Sequence, residues 1–135
     1  MGGRSAVKIT QYTAGDGIYA VEAAAVKCGP DISVCICGGT HPHIGASALG
    51  IPRPSLRDPS KPSASTSVFT VVGHKEDDLA KQAAEHLATS FGCRVSVQAG
   101  LHIDQASKRD IELLWANYEA VLRSLEAGLR ASRVE

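Results

Sequence analysis

The chain has 135 residues, of which 44% are hydrophobic and 21% charged, the size and balance of one globular domain that can bury roughly two-thirds of its unfolded surface without staples. Its 14 basic residues cancel its 14 acidic ones. That excludes a nucleic-acid coat or an anionic membrane surface as the main partner, since both reward net positive charge, and it leaves little self-repulsion to oppose a homo-oligomer. No apolar run reaches the length of a bilayer span, and Met1–Ser5 lacks the apolar region of a signal peptide. The expectation is a cytoplasmic protein built as a single domain, 1–135, that frays from about residue 130.

In chain order, Ser5–Tyr12 alternates as a strand, Gly15-Asp16-Gly17 reads as a hairpin turn, and Ile18–Lys27 returns as a second strand. Gly29-Pro30-Asp31 is a turn, and Ile32–Cys37 is an apolar run of strand length, central in the sheet. After Gly38-Gly39 and the Thr40-His41-Pro42-His43 loop, a fourth strand runs over Ile44–Ile51. Pro52–Pro62 holds four prolines within its interior and ends, and such a segment suits neither a central strand nor a helix interior, so a loop is expected. Ser65–Val72 makes a fifth strand. A helix starts near Glu76, with acids at its positive end. Leu79, Ala83, Leu87 and Phe91 form its buried stripe, and Gly92 is its cap. Arg94–Ala99 is a sixth strand. Ser107 and Asp110 resemble a capping box for a last helix over Lys108–Leu129, whose apolar side carries Ile111, Leu114, Tyr118, Leu122, Leu125 and Leu129.

The order β-β-β-β-β-α-β-α predicts an α/β chain of the α+β kind: one mixed, mostly antiparallel sheet of about six strands, with both helices packed on one face. Strands five and six run parallel because a helix connects them. Cys28, Cys35, Cys37 and Cys93 lie in apolar runs without zinc-knuckle spacing and read as reduced, buried, small side chains. Cys35 and Cys37, two apart on a strand, share a face.

Strand direction decides which loops meet. If the third strand points up, the fourth comes down and the fifth and sixth point up. Their upper ends deliver His41 and His43, then His74 and Lys75, then His102 and Asp104, so four of the five histidines gather at one edge. Ligand sites of α/β sheets favour such ends. The loops after strands five and six run into helix starts, which suit an anion; Lys75 adds charge, and Arg53 is a further candidate. His-x-His spacing at His41 and His43, with His74 and His102, offers a zinc or iron alternative, although Pro42 bends the pair. No nucleophile elbow or dinucleotide glycine pattern is present. Any catalysis would be histidine acid–base work with Asp104 as orienter. His86, in mid-helix, reads as a surface or packing residue.

Five segments in order carry a resemblance: Gly38-Gly39-Thr40-His41-Pro42-His43-Ile44-Gly45, Pro52-Arg53-Pro54-Ser55-Leu56, Ser63-Ala64-Ser65-Thr66-Ser67-Val68, Gly73-His74-Lys75 and Gly100-Leu101-His102-Ile103-Asp104. Together they look like the signature of the prenylated-flavin chaperone family typified by LpdD, small partners of gallate-type decarboxylases, over about residues 31–120. The third segment departs from the family pattern conservatively. The resemblance implies binding of prenylated FMN (or FMN) without catalytic turnover, in support of a UbiD-type decarboxylase. It implies a cofactor site made of His41, His43, Arg53, Ser55, Ser65, Ser67, His74, Lys75, His102 and Asp104. The phosphate would sit at the Gly73–Lys75 and Gly100–Asp104 helix starts and the polar ring edge against histidines and serine hydroxyls. The Pro52–Pro62 loop would reach this edge by folding back or by crossing to a neighbouring subunit. Two other classes compete: a small metal-dependent or His-based acid–base enzyme acting on an aromatic acid, and an accessory decarboxylase subunit with no ligand of its own.

Overall fold

The computed structural model describes residues 6–71 and 76–133. Six strands, β1 (Val7–Ala14), β2 (Val21–Cys28), β3 (Asp31–Gly39), β4 (Ala46–Pro54), β5 (Pro62–Thr70) and β6 (Val95–His102), form one mixed sheet in the order β1-β2-β3-β6-β4-β5. Helices α1 (Asp77–Phe91) and α2 (Lys108–Arg133) complete the chain. The element order and the α+β class are those expected from the sequence. Neither helix is long and apolar enough to cross a membrane.

Alternation sets which face is buried. Ile32, Val34 and Ile36 on β3 face the helices, as do Val95, Val97 and Ala99 on β6 and Ala46 and Ala48 on β4. The buried face of α1 is rich in alanine, and a Cβ at Gly50 would run into the Ala84 carbonyl. Small residues on both sides therefore let α1 lie close on β4. At the other end of the same face, Gly128 of α2 packs on the Tyr12 ring of β1. The Tyr118 hydroxyl of α2 donates to the Leu79 carbonyl of α1 at 3.1 Å, and burial pushes this phenol well above its ordinary pKa. Removing that hydroxyl with Tyr118→Phe is expected to cost about 1 kcal/mol in urea denaturation; an unchanged midpoint would show the bond to be energetically silent.

Several expectations need correction. The fifth and sixth strands do point the same way, but β4 lies between them, and the parallel neighbour of β6 is β3. The second strand starts at Val21, because Gly17–Tyr19 forms a 3-10 turn. Two long-range contacts fix that turn, from the Tyr19 hydroxyl to Asp110 (2.7 Å) and from the Asn117 amide to the Tyr19 carbonyl (2.7 Å). The proline-rich segment is a hairpin rather than a loop. β4 continues through Pro52 to Pro54, and β5 starts at Pro62. Pairing with β6 ends at Gly50, so among the described residues one side of β4 has no paired strand beyond that point, and prolines there break no ladder on that side. Ile111 of α2 is exposed while Val121 is fully buried. The cysteines depart most: Cys93 is buried and Cys37 half-buried, but Cys28 and Cys35 are exposed. Cys35 and Cys37 do share a face, and it is the one the helices leave open.

Candidate functional site

Because β3 and β6 are parallel and β4 is antiparallel to β6, the ends of β3 and β6 emerge side by side. The loop after β3 is sewn to the end of β6. The Thr40 and His41 N–H groups donate to the His102 carbonyl (2.7 and 3.4 Å), and the Asp104 N–H donates to Thr40 Oγ1 (3.0 Å). Farther along, His43 lies directly over Gly100, where a Cβ would occupy the space of the His43 carbonyl. Glycine is required at that position by close approach of backbone to backbone.

The histidines meet around Asp104. His41 Nε2 lies 2.6 Å from one carboxylate oxygen and His102 Nε2 lies 3.0 Å from the other. With Asp104 ionised, both Nε2–H groups donate to it. This selects the tautomer whose Nδ1 is an acceptor in each neutral ring. Hydrogen bonds, from His41 first and His102 second, hold the Asp104 carboxyl below its usual range. The side chains of His41 and Asp104 are 64% and 60% exposed, so the cluster is an open surface.

A depressed carboxylate pKa contributes stability that is present above the unfolded value and lost as pH falls through the folded one. The His41–Asp104–His102 link should therefore persist through mild acid and break only below the ordinary aspartate range. Carboxyl-carbon NMR of Asp104 reads this directly, and a midpoint at or above the ordinary value would remove the link.

His43 points inward. Its Nδ1 lies 2.9 Å from the His41 carbonyl and its Nε2 3.0 Å from Glu76 Oε1. Both ring nitrogens thus face oxygens. Glu76 also accepts from the Leu101 N–H at 3.4 Å. From the sequence Glu76 reads only as a helix-start acid, and Thr40 only as part of the His41–His43 loop. The one available signal for Glu76 was an acid directly after the Gly73-His74-Lys75 segment.

The remaining candidates separate. His74 and Lys75 lie outside the described residues. Arg53, Ser55, Ser65 and Ser67 belong to the β4–β5 hairpin, whose tip is at the opposite end of the sheet; the length of β4 puts that tip about 25 Å away. Arg53 donates to Ser65 Oγ (2.7 Å) and to the Pro54 carbonyl (2.9 Å). Ser55 Oγ accepts from the Arg57 and Asp58 N–H groups and so fastens its own turn. Within one chain the hairpin does not fold back to the histidines. The start of α2 is closed by a reciprocal cap, in which Ser107 N–H donates to Asp110 Oδ2 (2.9 Å) and Asp110 N–H to Ser107 Oγ (3.1 Å). An acid stands there instead of a vacancy for phosphate. Among the described residues no group of three or more His, Cys, Asp and Glu is arranged to hold a metal ion; His41 and His102 both direct Nε2 at Asp104. His86 is on the surface, 3.0 Å from Glu126 of α2.

Fold and site define a small α+β protein that displays hydrogen-bonding histidines on an open sheet edge. A chain of a chaperone complex for yeast 20S proteasome assembly shares this fold, with a TM-score of 0.60 and 16% identity over 94% of this chain and 98% of that one. No curated protein matches the chain. Residues 15–130 match the prenylated flavin chaperone LpdD-like domain, and the chain belongs to that family.

Proposed function

We propose that the chain binds prenylated FMN, or FMN itself, in the cytoplasm and carries it to a UbiD-type decarboxylase of (hydroxy)aryl acids, with no turnover of its own. The observation that carries this reading is the convergence of His41, His43, His102 and Asp104 at one sheet edge in a chain of this family. The donor set fits the polar edge of a flavin ring. His41 and His102, each oriented by Asp104, offer Nδ1 to a ring N–H, or a proton to a ring carbonyl when charged. Glu76 holds His43 and with it the loop.

With the α2 start capped by Asp110, we assign the phosphate to the Gly73-His74-Lys75 segment of the sequence, with Lys75 as its cation. Charge-assisted hydrogen bonds are worth about 1.5–3 kcal/mol each, so riboflavin should bind at least roughly tenfold more weakly than FMN. Lys75→Ala should shrink that preference. Anaerobic gel filtration with absorbance detection, using reduced prenylated FMN, FMN and riboflavin, tests both points. If Lys75→Ala discriminates as wild type does, the phosphate lies elsewhere. If wild type retains no flavin of any kind, the carrier reading fails.

A further inference from the structure

The two helices cover one face of the sheet. Among the described residues nothing covers the other face, and its composition is not that of a solvent face. Its centre, on β3 and β6, carries small uncharged side chains: Ser33, Cys35, Cys37, Ser96 and Gln98. Ser96 donates to Ser33 (2.9 Å), and Gln98 to Ser47 (3.2 Å). On either side lies an apolar group. Leu49, Ile51 and Phe69 are exposed on β4 and β5, Phe69 to 79%. Val7 and Ile9 are exposed on β1, with Val26 beside them on β2. On the strands from β3 to β5 the face carries charge only at the end far from the histidines, as Asp31, paired with Arg94 at 3.0 Å, and Arg53.

We propose that this open face is the contact of a two-fold homodimer, packed sheet to sheet through the β3–β6 centre. Three features favour a second copy as the occupant. First, the pattern is self-complementary: a two-fold axis lying in the contact sets apolar flank against apolar flank and small centre against small centre, as an isologous interface requires. Second, neither the neutral chain (14 basic and 14 acidic residues) nor the uncharged centre opposes it. Third, the size is right. Strands about 4.8 Å apart and residues about 3.3 Å apart give a face of roughly 600 Å² before side-chain relief is counted, against about 800 Å² per partner in a standard stable interface.

The same contact accounts for Cys35, an exposed thiol at the middle of a sheet. A redox pair with Cys37 does not account for it. Residues two apart on a strand point their Cβ atoms in parallel rather than toward each other. Burial first, then Cys35 and Glu22, raises the Cys37 thiol, the opposite of an activated cysteine. The dimer rests on the sheet face alone and is tested without flavin, so it stands or falls separately from the carrier reading.

Sedimentation velocity should give about twice the 14.1 kDa of one chain. Leu49→Lys with Phe69→Lys should sediment as a monomer with an unchanged circular dichroism spectrum, and Leu56→Lys, at the exposed hairpin tip, should remain dimeric. Should the double variant not fold, wild type alone decides. Its Cys35 should react with a maleimide roughly tenfold faster on dilution through the dimer dissociation range, as mass action requires. A monomeric wild type, a dimer that survives the double substitution, or Cys35 labelling independent of protein concentration would each overturn the proposal. So would a face that becomes covered only when a decarboxylase is added.

Discussion

Gly100→Ala is expected to melt about 10 °C below wild type and to lose flavin binding with it. Gly100 is buried in β6, and its missing side chain is the space through which the His43 carbonyl passes. The obstruction is backbone, so no side-chain rotation relieves it. Either β6 shifts against β3 and β4, or the 40–45 loop lifts off the sheet. Overpacking in a filled site costs about 1–3 kcal/mol and sometimes more, and this position belongs at or above the top of that range. The lifted loop carries His41 and His43, so the stability loss and the binding loss should appear together. Thermal denaturation and the anaerobic flavin assay measure the pair. A variant that melts within about 2 °C of wild type would mean that the loop yields freely and that Gly100 does not set the site.

Glu76→Ala should produce the second large effect. The carboxylate lies almost wholly inside, its side chain 9% exposed, within 3.0 Å of His43 Nε2 and 3.4 Å of the Leu101 N–H. Its removal takes the acceptor from a mostly buried imidazole and from a backbone donor together. An unsatisfied buried polar group costs about 1–3 kcal/mol, and the first turn of α1 also loses a favourable negative charge. Glu76→Gln keeps an oxygen for Leu101 and should lose less. Urea denaturation of the three proteins orders them as wild type, Gln, Ala. Equal midpoints for Gln and Ala would assign the effect to the charge alone, and an Ala midpoint equal to wild type would leave His43 held by its bond to the His41 carbonyl.

Much of this was legible without coordinates, for physical reasons that are local. Periodicity placed α1, because Leu79, Ala83, Leu87 and Phe91 recur on one side of a helix, and all four are buried. Gly92 ends it in a left-handed conformation (φ 62°), and the Ser107–Asp110 cap forms with both hydrogen bonds. Alternating strand directions were enough to bring His41, His43, His102 and Asp104 to the same end of the sheet, although not to make β3 and β6 neighbours. The family likewise was carried by short segments in fixed order, and residues 15–130 bear it out.

Tertiary structure alone decided the rest. Which strand lies beside β6 depends on long-range pairing, and β4 inserts between β5 and β6 although a helix joins the latter two in sequence. Pro52 and Pro54 are strand residues only because β6 has ended beside them, a fact held by the partner strand and not by the prolines. An apolar neighbourhood could not tell Cys35 on an open face from Cys93 in the core, because alternation reports that two faces differ and not which one the helices will cover. Glu76 reads as an ordinary helix-start acid until the loop from β3 is laid over the end of β6. Only then does a residue 33 positions from His43 become the group that holds it.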